Sequence, residues 1–305
     1  MCIRDRYTVK DFFNVLHSPK LYDKIWLPLL QLKFGKHAHK IPATFLWGRI
    51  HPRGRSRRGM QETLGYFDGG YHTFFDSFTQ NLLSHGIELK HETVLHIKQS
   101  DHEISITTET GEHVYDAVIF TGSNQLLVKL YSHFEIKTLN KLSKVKYQAI
   151  NCMILELRQS ISPYYWLNVL DKDISFIGCI EHTQLIPSEI YGRHVMYLFN
   201  YLPPTDKLFT MSPKAVYNLY IKDLKKIFPE FKDSLVIRWE LSRHPFATPI
   251  YSGKYSKNIP PFQIDRRLFL ANTTQVYPED RNVNNGIRLA ENVVKTVSAF
   301  LQNKL

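Results

Sequence analysis

One stretch constrains the fold of this chain more than any other: Leu268–Val297, LFLANTTQVYPEDRNVNNGIRLAENVVKTV. It opens with the apolar run Leu268-Phe-Leu-Ala271, the pattern of a buried strand. A polar loop containing Pro278 comes next, then Asn284-Asn285-Gly286. Beyond it, Ile287, Ala290, Val293, Val294, Val297 and Phe300 recur at helical spacing and hold one face. Asn284 or Asn285 is expected to cap that helix. Gly286, with no side chain, would let another group approach the first free backbone N–H donors. A helix start of this kind suits an anion or a polar ligand, and it equally describes an ordinary capped helix packed on a sheet.

A chain of 305 residues is long enough for two domains, and its 43% hydrophobic and 22% charged content is that of a globular protein. No stretch approaches the ~18 uninterrupted apolar residues of a membrane span. Cys2, Cys152 and Cys179 are too few and too scattered for a disulfide framework or a metal site, so a reducing, cytoplasmic compartment is expected. The net charge is +11, with five arginines between Arg49 and Arg58. Such a run is either a solvated loop or a field for an anionic membrane surface or an anionic substrate. No helix-turn-helix, finger or RNP-like pattern accompanies it, which argues against nucleic acid.

In chain order, residues 1–7 (MCIRDRY) read as a leader foreign to the rest of the chain, and residues 8–60 as helical, with Gly35 ending the second helix. A turn at Gly69-Gly70 leads into an aromatic helix stopped by Gly86. Strands are expected at Ile87–Leu89 and Val94–Ile97, a hairpin from Glu103–Thr108 to His113–Tyr115, and a short strand ending at Thr121-Gly122. Helix, strand, hairpin and strand in that order make part of a doubly wound nucleotide-binding domain, whose ligands sit at the carboxyl ends of strands. From Asn124 long alternating strands are expected at 149–157, 164–169, 174–180, 194–201 and 234–241. One helix interrupts them, with Ser212 as N-cap, Pro213 in its first turn and Phe228-Pro229 closing it. The division expected is 61–123 and 259–305 for the nucleotide domain, with 8–60 and 124–258 forming an inserted substrate domain.

Taken together, LGYFDGGYHTFFDSFTQNLLSHGIEL, the Val94–Ile97 strand, AVIFTGS and LFLANTTQVYPEDRNVNNGIRLAENV resemble the FAD-dependent amine oxidase, protoporphyrinogen oxidase and phytoene desaturase superfamily. The segments WLPLLQLKFGKHAHKIPATFLWGRI, YYWLNVLDKDISFIGCIEHTQLIP and YGRHVMYLFNYL are similar to a bacterial protoporphyrinogen-oxidase-like branch labelled NAD(P)/FAD-dependent. The resemblance implies an α/β fold in which a doubly wound FAD domain is interrupted by a mainly antiparallel substrate domain. It also implies non-covalent FAD, with NAD(P) or another molecule as electron acceptor. Val94 would lie on the adenine side of FAD and Thr121-Gly122 would line the nucleotide. Ala271-Asn272 would lie near the ribityl chain and pyrophosphate. Asn284, Asn285, Gly286 and Ile287 would present the helix start to the flavin's pyrimidine edge, where N–H donors stabilise a reduced, anionic ring.

One departure stands out. The family's strand–GxGxxG–helix is missing from these 305 residues, whose fourteen glycines never take that spacing. The expectation is an N-terminally truncated piece that holds FAD poorly and is inactive alone.

Hydride chemistry on flavin needs no nucleophile–base pair, and the sequence shows none. Glu181-His182, at a strand end, is a candidate for proton handling or substrate orientation, or else a strand-end pair satisfied by hydrogen bonds. Arg49 and Arg243 are candidates for gripping a substrate carboxylate or phosphate. The substrate expected is a small molecule, anionic or lipid-linked, with peripheral membrane contact in play. Two rival readings are a flavin-dependent sugar-nucleotide mutase and a non-catalytic remnant with a decayed flavin site. Trp26, Trp47, Trp166 and Trp239 read as core. Cys152 and Cys179 read as buried and inert.

Overall fold

The computed structural model describes residues 6–55, 57–59, 61–62 and 65–302, so most of the expected leader lies outside the described residues. Its contacts divide the chain into two compact units. One is Met1–Ala43 with Lys146–Gly253; the other is Thr44–Val145 with Lys254–Leu305.

The first unit is built on a five-stranded antiparallel sheet. Its order across the sheet is Val236–Pro249, Tyr147–Leu157, His194–Leu202, Gly178–Glu181 and Trp166–Asn168. Period-two alternation turns Met153, Leu155 and Leu157 into the core beside Met196 and Leu198. The helix Pro213–Ile227 covers that face with Val216, Tyr220, Ile221 and Leu224. Its start is as read from sequence, with Ser212 Oγ accepting from the Ala215 N–H at 3.3 Å and Pro213 in the first turn. The helical segment Leu27–Phe34 stops at Gly35, whose φ of +51° favours a residue without Cβ.

Three strands of this sheet differ most in extent from the sequence expectation. The stretch 174–180 is strand only from Gly178, because Asp171 Oδ1 accepts from the Asp173 N–H at 2.9 Å and turns the chain just before it. The stretch 164–169 shortens to Trp166–Asn168, at the sheet edge, where Trp166 is exposed rather than core. The last strand runs on to Pro249 through irregularities at Val236/Arg238 and His244/Thr248.

The second unit carries smaller ladders. Val94–Gln99, Ile104–Thr108 and Glu112–Tyr115 form an antiparallel meander, and Val118–Phe120 pairs in parallel with Leu268–Leu270. Ile97, Ile104, Val118, Leu127, Leu142, Leu268 and their neighbours make its core. The expected strand at Ile87–Leu89 is not formed: the segment has no ladder partner among the described residues, and both side chains are exposed. Residues 124–145, expected at the start of the antiparallel region, form the helices Asn124–Leu130 and Ile136–Lys144. Their Leu127 and Leu142 pack into the core just described, which places them with the second unit. Residues 44–55 group there too, and the run from Arg49 to Arg55 is helical rather than loop. Ser56 and the side chains of Arg53, Arg55 and Arg58 lie outside the described residues.

Candidate functional site

The parallel pair sets the geometry of the second unit. The Val118 N–H donates to the Arg267 carbonyl (2.9 Å) and the Ala271 N–H to the Phe120 carbonyl (3.0 Å). Thr121-Gly122 and Ala271-Asn272 therefore leave the carboxyl ends of two neighbouring strands side by side. Asn272 locks them together. Its Nδ2 donates to the Gly122 carbonyl (2.7 Å) and to Asn124 Oδ1 (2.9 Å). Its Oδ1 accepts from the N–H (3.0 Å) and the hydroxyl (2.6 Å) of Thr274. Both amide donors and both acceptor lone pairs are used, so the side chain clamps strand ends and has nothing left for a ligand. Gly122 is required by crowding: a Cβ there would lie 2.6 Å from the Phe120 ring.

From Asn272 a short loop leads to the helix Val283–Gln302. The expected cap at Asn284 or Asn285 is corrected to Asn282, whose Oδ1 accepts from the Asn285 N–H (2.8 Å) and whose carbonyl accepts from the Gly286 N–H (3.0 Å). Asn284, Asn285 and Gly286 thus form the first turn. The physical reason is the three-residue spacing from cap side chain to N–H, which fits Asn282 and Asn285. Asn285 Nδ2 reaches back to the Asp280 carbonyl (2.8 Å), and Asp280 pairs with Arg49 (2.8 Å), itself stacked over Phe45. Thr44 bonds the Tyr277 hydroxyl, and a Cβ on Gly48 would collide with the Pro278 carbonyl oxygen. The loop is therefore fastened to the helix Ala43–Arg55.

Within this frame the space beside Gly286 is open: a Cβ there would meet nothing within 4 Å. Ile287 is half exposed next to it. With the cap satisfying Asn285, the N–H groups of Val283 and Asn284 are left for an outside acceptor among the described residues. Val94 heads the outer strand of the meander, pairs with Thr108, and packs on the core that also holds Leu127, from the helix following Gly122.

The other candidates lie in the first unit and are not brought together. The strand bearing Arg243 and the strand ending at Glu181 are separated by two others. Glu181 is fully buried and accepts from the backbone N–H groups of Ile161 (3.2 Å) and Ser162 (2.7 Å), so it holds a turn. His182 Nε2 meets the Tyr191 hydroxyl at 2.8 Å, and burial lowers its pKa below the ordinary imidazole value. Arg243 donates to Asn151 Oδ1 (3.3 Å) and to the Met211 carbonyl (2.6 Å). Burial pushes the Cys152 thiol up to about 11 and the Cys179 thiol to about 12, so neither is a nucleophile at neutral pH. No group of His, Cys, Asp and Glu among the described residues is placed to hold a metal.

Sequence reasoning passed over Asn124, Asp280 and Asn282. One signal in the same loop is readable: Asn272-Thr-Thr-Gln275 is a capping-box spacing, and the structure forms that box, with Asn272 N–H donating to Gln275 Oε1 at 2.9 Å.

The arrangement fits one end of FAD and not the other. The open first turn and the paired strand ends suit the flavin and ribityl portion, whereas no glycine-rich loop is present in the sequence to cradle the pyrophosphate. Residues 10–279 match the family of flavin containing amine oxidoreductases. Among solved structures, a protein from Exiguobacterium sp. 255-15 assigned as a protoporphyrinogen oxidase aligns over 97% of this chain and 67% of its own. Its TM-score is 0.73 at 17% identity. A reduced UDP-galactopyranose mutase aligns over 96% and 68% (TM-score 0.69, 12% identity), and a putrescine oxidase variant over 98% and 69% (TM-score 0.65, 10% identity). At these identities the likeness establishes the fold. A search of curated proteins by sequence returned no match. The chain belongs to the flavin-containing amine oxidoreductase family, a family of FAD-dependent oxidoreductases.

Proposed function

We propose that this chain supplies the flavin-ring side of an oxidoreductase that removes hydride from a small-molecule substrate. Bound FAD supplies the hydride acceptor. Asn272 holds the strand ends Gly122 and Ala271 in register beneath the ring. The first turn of the helix offers the N–H groups of Val283 and Asn284 and the positive end of its dipole to the ring's pyrimidine edge, with Gly286 leaving room for the approach. The Arg49–Asp280 pair keeps the intervening loop in place. The observation that carries this reading is the open space at Gly286 beside the Val283 and Asn284 N–H groups, which have no acceptor among the described residues.

The substrate class we favour is an anionic or lipid-linked small molecule, handled in a reducing compartment such as the cytoplasm; the two described cysteines are free thiols. The family is defined by its flavin and not by a nicotinamide. Isomerase chemistry of the mutase kind is the weaker reading, because Arg49 is paired with Asp280 and Arg243 with Asn151 and the Met211 carbonyl, leaving neither poised for a diphosphate.

Without a glycine-rich cradle, the chain alone should hold FAD loosely and gain little from the pyrophosphate and adenosine. Fluorescence titration with riboflavin and with FAD tests this. The expected affinities agree within about tenfold, since the missing phosphate contacts would otherwise add a kcal/mol or more each. FAD binding hundreds of times tighter than riboflavin would place a phosphate site in this chain and sink the proposal.

A further inference from the structure

We propose that a helical pair in the first unit docks on an anionic lipid bilayer. The pair is Val9–Val15 followed by the continuous segments Pro19–Leu21, a π-helical Tyr22–Trp26 and Leu27–Phe34. Its two arms pack through Phe13, which stacks on Trp26 (6.1 Å) and contacts Tyr22 (6.4 Å). Phe13, Tyr22 and Val9 are buried.

The opposite side is apolar as well. Phe12, Val15 and Leu16 sit at i, i+3 and i+4 of the first arm, and Leu21 and Ile25 four apart on the second. Val15 is 64% exposed, Leu16 52% and Ile25 49%, with Phe12 and Leu21 close behind. A tight turn at His17, where φ is +52°, joins the arms. Five large apolar side chains over fourteen residues, Phe12 to Ile25, are more than scattered surface apolarity.

Charge decides what covers them. Between Tyr7 and Lys40 the sequence has six lysines against two aspartates. Lys10, Lys20 and Lys24 are exposed beside the apolar rows, while Asp11 is turned back onto the Thr8 backbone and hydroxyl at the helix start. Apolar side chains at the acyl boundary with lysines at headgroup level is the pattern of an interfacial helix on acidic lipid. The helix Tyr71–Ser84 gives the contrast. It also exposes Tyr71, Phe75 and Phe78, yet from Gly65 to Leu89 there is no lysine or arginine. No helix among the described residues is long and apolar enough to cross a membrane, so the contact is with one leaflet.

The test is co-sedimentation of the full chain with vesicles of phosphatidylcholine alone or mixed with phosphatidylserine. Binding is expected to the mixed vesicles, to fall with added salt, and to be weak on phosphatidylcholine alone. Leu16→Ser with Ile25→Ser should weaken it roughly tenfold or more. Lys20→Glu with Lys24→Glu should weaken it about fivefold or more on the acidic vesicles, and this pair tests the proposal even where the serine pair misfolds. Phe75→Ser with Phe78→Ser should leave it unchanged. Absence of binding to acidic vesicles overturns the proposal. So does a serine pair that abolishes self-association in sedimentation velocity while vesicle binding persists, which would assign the face to a second copy.

Discussion

The two units solve the same folding problem by different means. In the first, five strands share one sheet, and the second and third across it bury alternate side chains completely under a single helix. In the second, ladders of two or three strands are short, and the helix Tyr71–Ser84 has no buried residue. Polar clamps reinforce its apolar core. Arg267, almost fully buried, donates to the carbonyls of Asp116 (3.0 Å) and Asp101 (2.9 Å), while its N–H reaches Gln99 Oε1 (2.7 Å), tying the meander to the parallel pair. Asn272 does the same at the opposite end of that pair. The first unit rests on one helix-covered sheet core, and in the second directed hydrogen bonds fix the strand ends and the helix start around its apolar core.

That contrast predicts where substitutions hurt. Leu155→Ala should cost the most, about 3 kcal/mol, by leaving a cavity beneath the Pro213–Ile227 helix; urea unfolding would read it. A cost near zero would mean the sheet core is less decisive than its burial implies. Asn272→Asp, the same shape without donors, should cost about 2 kcal/mol by facing a carboxylate oxygen with the Gly122 carbonyl and Asn124 Oδ1. Its effect should be confined to the second unit, which amide exchange at Gly122 and Asn272 would report. A smaller effect comes from pH. Burial depresses the His182 pKa below its ordinary 6.5, so the stability it contributes is present above about pH 6.5 and is lost as pH falls through the folded value. Acid unfolding monitored at Tyr191 and Trp166 should precede that of a His182→Gln variant. Smallest of all, Gly286→Ala should leave stability unchanged within about 0.5 kcal/mol or raise it slightly, because the Cβ enters open space on a helix.

Elements with one dominant local signal were legible in the sequence. Ser212-Pro213 announced a helix start, Gly35 a stop, and the alternation from Ala149 to Leu157 a strand, which in the structure begins two residues earlier at Tyr147. The apolar pattern of Ile87–Leu89 misled, because a strand needs a partner as well as a pattern. The helices at 124–145 were missed because their few apolar positions gain meaning only from the core formed by Ile97 and Leu268, far away in sequence. At the candidate site the strand ends and the helix start were readable, while the cap moved to Asn282. Glu181 and Arg243 looked chemical and proved to be tied to backbone. A polar side chain at a strand end reads the same in sequence whether it faces a ligand or its own loop.

The most direct measurement is a flavin titration of the wild-type chain and of Gly286→Val, monitored by fluorescence quenching with riboflavin and FAD. Wild type should quench both ligands. Gly286→Val should lose affinity for both by roughly tenfold or more while keeping wild-type unfolding behaviour, since the added side chain enters open space, the space proposed for the ring. Equal flavin affinity in the two proteins would contradict the account, because the open first turn would then not be where the flavin sits.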